Sequence, residues 1–238
     1  MIRQSQKKAP VNEIFFSYQG EGIYAGIPQI FVRFEGCNIR CSYCDTKYSL
    51  TVNNKNGDYS PDELCSAVIE IIKKNKKNFF GFTPSVSVTG GEPLIHSGFL
   101  KDFLERIKEK QINVYLETNG TLPEELKKIY KLCDVISMDI KLKSACGKNF
   151  LREHEQFLKT AYKKIFVKIV ISKNTEKKEF IKAVNMIESV SKNIKLVLQP
   201  DSNNIKKYFK ILEFYSAASA KIKDVRILPQ MHKIWDIK

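Results

Sequence analysis

Cys37-Asn38-Ile39-Arg40-Cys41-Ser42-Tyr43-Cys44 places three cysteines on one short stretch. Thiolates are the soft ligands of iron–sulfur clusters; three on one loop can hold three irons of a cubane and leave the fourth open to a small molecule. A structural zinc site asks for four ligands, commonly two CxxC-like pairs. No further Cys or His is near in sequence, so the spacing favours the cluster over zinc. Cys65 falls in register with Ile69 and Ile72 on a helical stripe and reads as core. Cys133 abuts a strand, and Cys146 sits in a loop with no partner to read. Clustered cysteines in a reducing compartment point to metal or redox chemistry rather than disulfides. A second candidate is Thr89-Gly90-Gly91-Glu92-Pro93. Two glycines let backbone approach a ligand closely, and a glutamate can meet an ammonium.

The elements that carry these residues alternate in period. Strand patterns cover Ile30–Glu35, Ser85–Thr89, Ile112–Glu117, Val135–Ile140, Phe166–Ile171, Lys195–Gln199 and Val225–Leu228. Helical patterns lie near Pro61–Lys76, Gly98–Lys110, Pro123–Lys131, Arg152–Ala161, Thr175–Ser191 and Ile205–Ala218. Ser60 before Pro61 reads as an N-cap, and Ser97 as the next one. Such alternation implies βαβ units, a parallel sheet and helices outside it. A parallel strand covered on both faces reads as continuously apolar, but these alternate. Ile30, Val32 and Phe34 oppose Phe31, Arg33 and Glu35; Ile136, Met138 and Ile140 oppose Ser137, Asp139 and Lys141. Either one face of the sheet meets water, or the sheet curves into a partial barrel around a polar chamber. The chamber is favoured, because parallel α/β folds bind ligands at strand C-termini.

The chain of 238 residues is expected to form one domain, with residues 1–10 a loose end and Asn53–Asp58 a polar loop. Its 43% hydrophobic content excludes wholesale disorder. No window approaches the roughly 18 apolar residues of a membrane span, and the first eight residues lack the apolar core of a secretory signal. A cytoplasmic protein is expected. The net charge of +14 is spread over nearly every helix, as in Lys73-Lys74, Lys127-Lys128 and Lys206-Lys207. That fits a solvated lysine-rich surface better than a nucleic-acid patch.

CxxxCxxC directly after the first strand, followed by GGE at the end of the second, resembles the radical S-adenosylmethionine (SAM) enzymes. The resemblance implies a partial (β/α) barrel, a [4Fe-4S] cluster on Cys37, Cys41 and Cys44, and SAM chelating the open iron to yield a 5′-deoxyadenosyl radical. Further motifs are Phe16-Ser17-Tyr18-Gln19-Gly20-Glu21-Gly22, Gly26-Ile27-Pro28, Phe31-Val32-Arg33, Gly36-Cys37-Asn38, Cys44-Asp45-Thr46, Glu117-Thr118-Asn119-Gly120-Thr121 and Pro229-Gln230-Met231-His232-Lys233. Together they are similar to the 7-carboxy-7-deazaguanine synthase family from about residue 11 to 235. That family is a group of carbon–nitrogen lyases that contract 6-carboxy-5,6,7,8-tetrahydropterin to 7-carboxy-7-deazaguanine with loss of ammonia, on the way to queuosine in tRNA.

The resemblance implies substrate contacts by Tyr18, Gln19, Gly20, Arg33 and Thr89. It implies SAM contacts by Tyr43, Cys44, Asp45, Gly91, Asp139, Ile140, Lys141, Gln199, Pro200, Asp201 and Ser202. A Mg2+ ion would be held by Thr46 and by the substrate itself, since magnesium takes few protein ligands when substrate and water complete its octahedron. A homodimer and an electron donor such as flavodoxin or ferredoxin are also implied, with no direct nucleic-acid or membrane partner. Arg33 offers a planar fork for a carboxylate, and His232 suits either substrate bonding or packing. The chain departs from the family at Tyr43, where many relatives have Trp, and over Leu142–Gly147, where many continue Pro-Ser-Ser-Gly. Two alternatives stand beside this reading. A glycyl-radical-enzyme activase would explain the cluster but not the QGEG and PQMHK motifs. A metal-containing RNA-binding protein would use the charge.

Overall fold

Period-two alternation of β-branched and polar residues builds one sheet, and the amphipathic segments between strands pack on its apolar side. The structure is a computed structural model that describes residues 8–53, 57–201 and 209–237. Its strands are β1 (Ala9–Tyr18), β2 (Pro28–Phe34), β3 (Asp58–Tyr59), β4 (Ser85–Gly90), β5 (Asn113–Thr118), β6 (Val135–Asp139), β7 (Ile165–Ile171), β8 (Lys195–Pro200) and β9 (Val225–Ile227). The helices are α1 (Pro61–Lys74), α2 (Ser97–Glu109), α3 (Pro123–Ile129), α4 (Lys143–Cys146), α5 (Leu151–Ala161), α6 (Lys177–Val190), α7 (Phe209–Ser219) and α8 (Met231–Trp235). The sheet order is β3-β1-β2-β4-β5-β6-β7-β8-β9. Every pair from β2 to β9 is parallel, and the two ends of this order are not joined. This is the open, partial (β/α) barrel that the alternation predicts.

Register turns the alternation into two surfaces. Ile30 pairs with Val86, Val86 with Val114 and Leu116 with Ile136, and all five are buried in the core between sheet and helices. Each large apolar side chain buried there contributes about 1.5–3 kcal/mol. On the other surface Arg33 pairs with Thr89, Glu117 with Ser137 and Asp139 with Lys168. Paired residues of parallel strands share a face, so the polar positions line up across the strands.

The ends of the elements differ from expectation in instructive ways. Ser60 caps α1 as read, accepting from Glu63 N at 3.3 Å while Glu63 takes the Ser60 N–H at 2.7 Å. Ser97 is not a cap: a 3₁₀ turn over Pro93–His96 precedes it, and its hydroxyl donates to Glu125. Of the expected loose end, residues 1–7 lie outside the described residues, and residues 9 and 10 begin β1, which runs antiparallel to β2. A register shift between Val11 and Glu13 interrupts the period of β1, and the aromatic run Phe15-Phe16 obscures the rest. Asp58, expected in a loop, pairs with Pro10 in β3. Leu142–Gly147 is not an open loop either, because Lys143–Cys146 make a helical turn closed by Gly147 at φ 76°. Cys65 is core, 6% exposed. Among the described residues no helix is long and apolar enough to cross a membrane.

Candidate active site

The cysteine loop follows β2 and is held by its own backbone and by two neighbouring strand ends. Arg40 folds back to donate to the carbonyls of Cys37 (2.7 Å), Ile39 (2.9 Å) and Leu50 (3.3 Å). Cys44 N–H closes a turn on Cys41 O at 3.2 Å, and Ser42 N–H reaches Ala145 O of α4 at 2.9 Å. Asn38 is clamped by the turn that follows β5: its amide donates to Thr121 Oγ1 at 2.8 Å and accepts from Asn119 Nδ2 at 2.9 Å. Asn119 is itself fixed through its N–H to Glu92 Oε2 (2.7 Å) and through its carbonyl to the buried His154 ring (3.1 Å). The turn after β4 presses on the same loop. A Cβ on Gly91 would sit 2.1 Å from Gly36 O and 2.8 Å from Ser49 O, so only glycine fits. Burial raises the thiol of Cys37 and pushes that of Cys41 up to about 11. These are protonated thiols that a metal must deprotonate on binding.

Glu92 does not do what its motif suggests. It is fully buried, is not among the residues lining the chamber, and accepts from Leu94 N, Thr118 Oγ1 and Asn119 N at 3.0, 2.8 and 2.7 Å. Burial lifts its pKa to about 7 although those three donors pull it down. It braces the ends of β4 and β5 from behind, leaving Gly91 at the surface.

The polar face of the sheet forms the floor of a chamber shared with this loop. Glu117 lines it and accepts from Gln19 Nε2 (3.0 Å), Ser87 Oγ (2.9 Å) and Thr89 Oγ1 (3.1 Å). Arg33 lines the wall with its Nε 3.4 Å from Glu13 and its guanidinium over the Phe15 ring at 5.8 Å. A chain of largely buried charges lines the chamber. Glu21 pairs with Lys168, Lys168 lies 3.5 Å from Asp139, and Asp139 receives Lys141 at 2.8 Å. Against the cost of burial, the Lys168 charge and hydrogen bonds from Lys168 and Gln230 hold the Glu21 carboxyl down at about 2. Two buried acceptors, Asp139 Oδ1 and Gln199 Oε1, have no hydrogen-bond partner. Such atoms are costly unless a donor arrives, so the chamber is built for a ligand carrying hydroxyl or amino groups.

The rim closes through the C-terminal segment. Met231 N–H donates to Gly20 O at 2.8 Å, and a Cβ on Gly20 would meet the His232 ring at 2.3 Å. Gln230 bridges Glu21 Oε1 (2.6 Å) and Asp45 Oδ2 (3.0 Å). One ligand atom each from Glu21, Asp45 and His232 falls within 4.8 Å of the others. Thr46 lies beside them, its Oγ1 3.9 Å from Cys44 Sγ.

One chamber therefore gathers Tyr18, Gln19, Gly20, Arg33, Cys37, Cys41, Tyr43, Cys44, Asp45, Thr46, Thr89, Gly91, Asp139, Lys141, Gln199, Asp201 and His232. Ile140 is instead buried in the core, Pro200 does not line the chamber, and Ser202 lies outside the described residues. Sequence reading assigned no role to Glu21, Glu117, Lys168 or Gln230, although three of them stand in quoted motifs. Lys168 carried only the signal of a polar residue in a strand.

Comparison with known proteins agrees with this geometry. Residues 31–187 match the Radical SAM superfamily. The 7-carboxy-7-deazaguanine synthase of Geobacter sulfurreducens is 35% identical over 96% of this chain and 98% of its own. That of Methanopyrus kandleri is 33% identical, covering 95% and 93%, and that of Aquifex aeolicus 30%, covering 100% and 98%. Among solved structures, QueE from Escherichia coli superposes with a TM-score of 0.61 at 22% identity, over 94% of this chain and 95% of that one.

Proposed function

The chain belongs to the 7-carboxy-7-deazaguanine synthase family of the radical SAM superfamily, and from that premise we propose how its chamber contracts 6-carboxy-5,6,7,8-tetrahydropterin to 7-carboxy-7-deazaguanine. It is a radical SAM enzyme of 7-deazapurine biosynthesis, with a [4Fe-4S] cluster and SAM as cofactors. When bound, these supply reductive cleavage of the sulfonium and so the radical that starts the reaction. Cys37, Cys41 and Cys44 hold the cluster. The residues fit the cofactor: Gly91 offers backbone where a side chain has no room, and the orphaned Asp139 Oδ1 and Gln199 Oε1 await hydroxyl or ammonium donors. Tyr43, Asp45, Lys141 and Asp201 complete that side.

On the opposite side Arg33 receives the substrate carboxylate. Gln19 and Thr89, both tied to Glu117, read the donor and acceptor edge of the pterin, while Tyr18 and Gly20 shape the entrance. Glu117 adds an acceptor for the ring's N–H groups. Thr46 would hold magnesium together with substrate oxygens, and the ion would help to orient the substrate. The protein acts as a single domain in the cytoplasm, as a homodimer reduced by a flavodoxin or ferredoxin.

The observation that carries this reading is the convergence of three thiols, two orphaned acceptors and the Arg33–Thr89–Glu117 floor in one chamber. The test is iron and sulfide analysis of anaerobically reconstituted variants. Alanine at Cys37, Cys41 or Cys44 should abolish binding of about four irons per chain and all SAM cleavage, while Cys65→Ala retains both. Iron lost from Cys65→Ala, or kept by any of the other three, would overturn the ligand assignment.

A further inference from the structure

Lys141 stands just past β6, at the seam between the charged chain and the cysteine loop. Its Nζ is 2.8 Å from Asp139 Oδ2 and 5.1 Å from the centre of the Tyr43 ring, which lies between the second and third cysteines. Lys141 and Asp139 are nearly buried, with side chains 13% and 15% exposed. Asp139 is a shared counterion, because Lys168 lies 3.5 Å from the same oxygen while also pairing with Glu21. Lys141 therefore shares its counterion with Lys168 on one side and lies over the Tyr43 ring of the cysteine loop on the other. Lys141, Tyr43 and the three cysteines line the same chamber.

A cubane on three thiolates is anionic and gains a further negative charge on reduction. Net charge and the surrounding hydrogen bonds are among the protein's levers on cluster potential. A fixed cation in a poorly screened interior favours the more negative state, and its partner carboxylate opposes it. We infer that Lys141 is a positioning residue for the cluster's charge: it raises the cluster's reduction potential so that an ordinary donor can reduce it, and Asp139 limits how far. This is distinct from any contact either residue makes with SAM, and it rests on the assignment of the cubane to Cys37, Cys41 and Cys44.

The experiment is a reductive titration of the full-length, anaerobically reconstituted protein without SAM, followed by the electron paramagnetic resonance of the reduced cluster. Omitting SAM removes any effect of lost cofactor contacts. Lys141→Gln should make the cluster at least tenfold harder to reduce, about 59 mV for one electron. Asp139→Asn should move the potential the opposite way, and Lys141→Arg should stay near wild type. Opposite signs from two members of one ion pair are not what a loss of packing produces. Unchanged potentials, or shifts of the same sign, would overturn the inference. If Lys141→Gln fails to take up iron, Asp139→Asn decides alone: an upward shift sustains the inference and no shift ends it. Wild type lacking the cubane would instead contradict the cysteine assignment, which iron analysis reveals before any titration.

Discussion

Glu92 spends its carboxylate on three donors inside the protein, and its ionisation couples the site to folding. With a folded-state pKa of about 7 against a reference of 4.5, the native state holds this proton more tightly than the unfolded chain. Its contribution to stability is therefore fully present below pH 4.5, falls as pH rises to 7, and is flat beyond, a change of roughly 3 kcal/mol. Glu92→Gln replaces one acceptor by an amide that confronts N–H groups, and should cost about 1–3 kcal/mol at low pH. The gap between variant and wild type should close between pH 4.5 and 7, or reverse where it starts small, because only wild type loses stability there. Urea midpoints at several pH values check both size and direction. A gap that widens would contradict the burial argument. At this scale the sequence shows residue types but not facing: a Glu after two glycines suggests a ligand contact, yet the Glu92 side chain turns behind the wall and Gly91 faces in.

The cluster loop depends on the ends of β2, β4 and β5 meeting at van der Waals distance. Gly91→Ala would push a methyl into the Gly36 and Ser49 carbonyls, and overpacking of this kind costs about 1–3 kcal/mol. Gly98 in α2 is the contrast, since a methyl there meets nothing within 4 Å. Gly98→Ala should gain about 0.5–1 kcal/mol from reduced backbone freedom. Denaturation midpoints and iron content should fall together for Gly91→Ala, while Gly98→Ala raises the midpoint and keeps its iron. If Gly91→Ala stays fully stable and loaded, the close approach is not required. Seven strands and six helices were legible because alternation and amphipathic stripes are local patterns. β1 was not, because its bulge breaks the period, and α4 is too short to show one.

Across the whole molecule, the site is made by contacts remote in sequence. Gln19 reaches Glu117 across 98 residues, Lys168 reaches Glu21 across 147 and Gln230 reaches Glu21 across 209. No periodicity announces such pairs; the open sheet creates them by carrying successive strand ends around one chamber and bringing the C-terminal segment back over Gly20. Many lysines lie on helix surfaces outside this chamber, some in pairs such as Lys127–Glu124 and Lys159–Glu155, each worth little to stability. Arg33, Lys141 and Lys168, by contrast, are cations that line the chamber. The central claim is that this chamber performs the ring contraction. Its most direct test is an oxygen-free incubation of reconstituted protein with reductant, SAM, magnesium and 6-carboxy-5,6,7,8-tetrahydropterin, with products identified by mass. The account predicts 7-carboxy-7-deazaguanine and ammonia in equal amounts, formed only when SAM is present. Cleavage of SAM that leaves the pterin unchanged would contradict it.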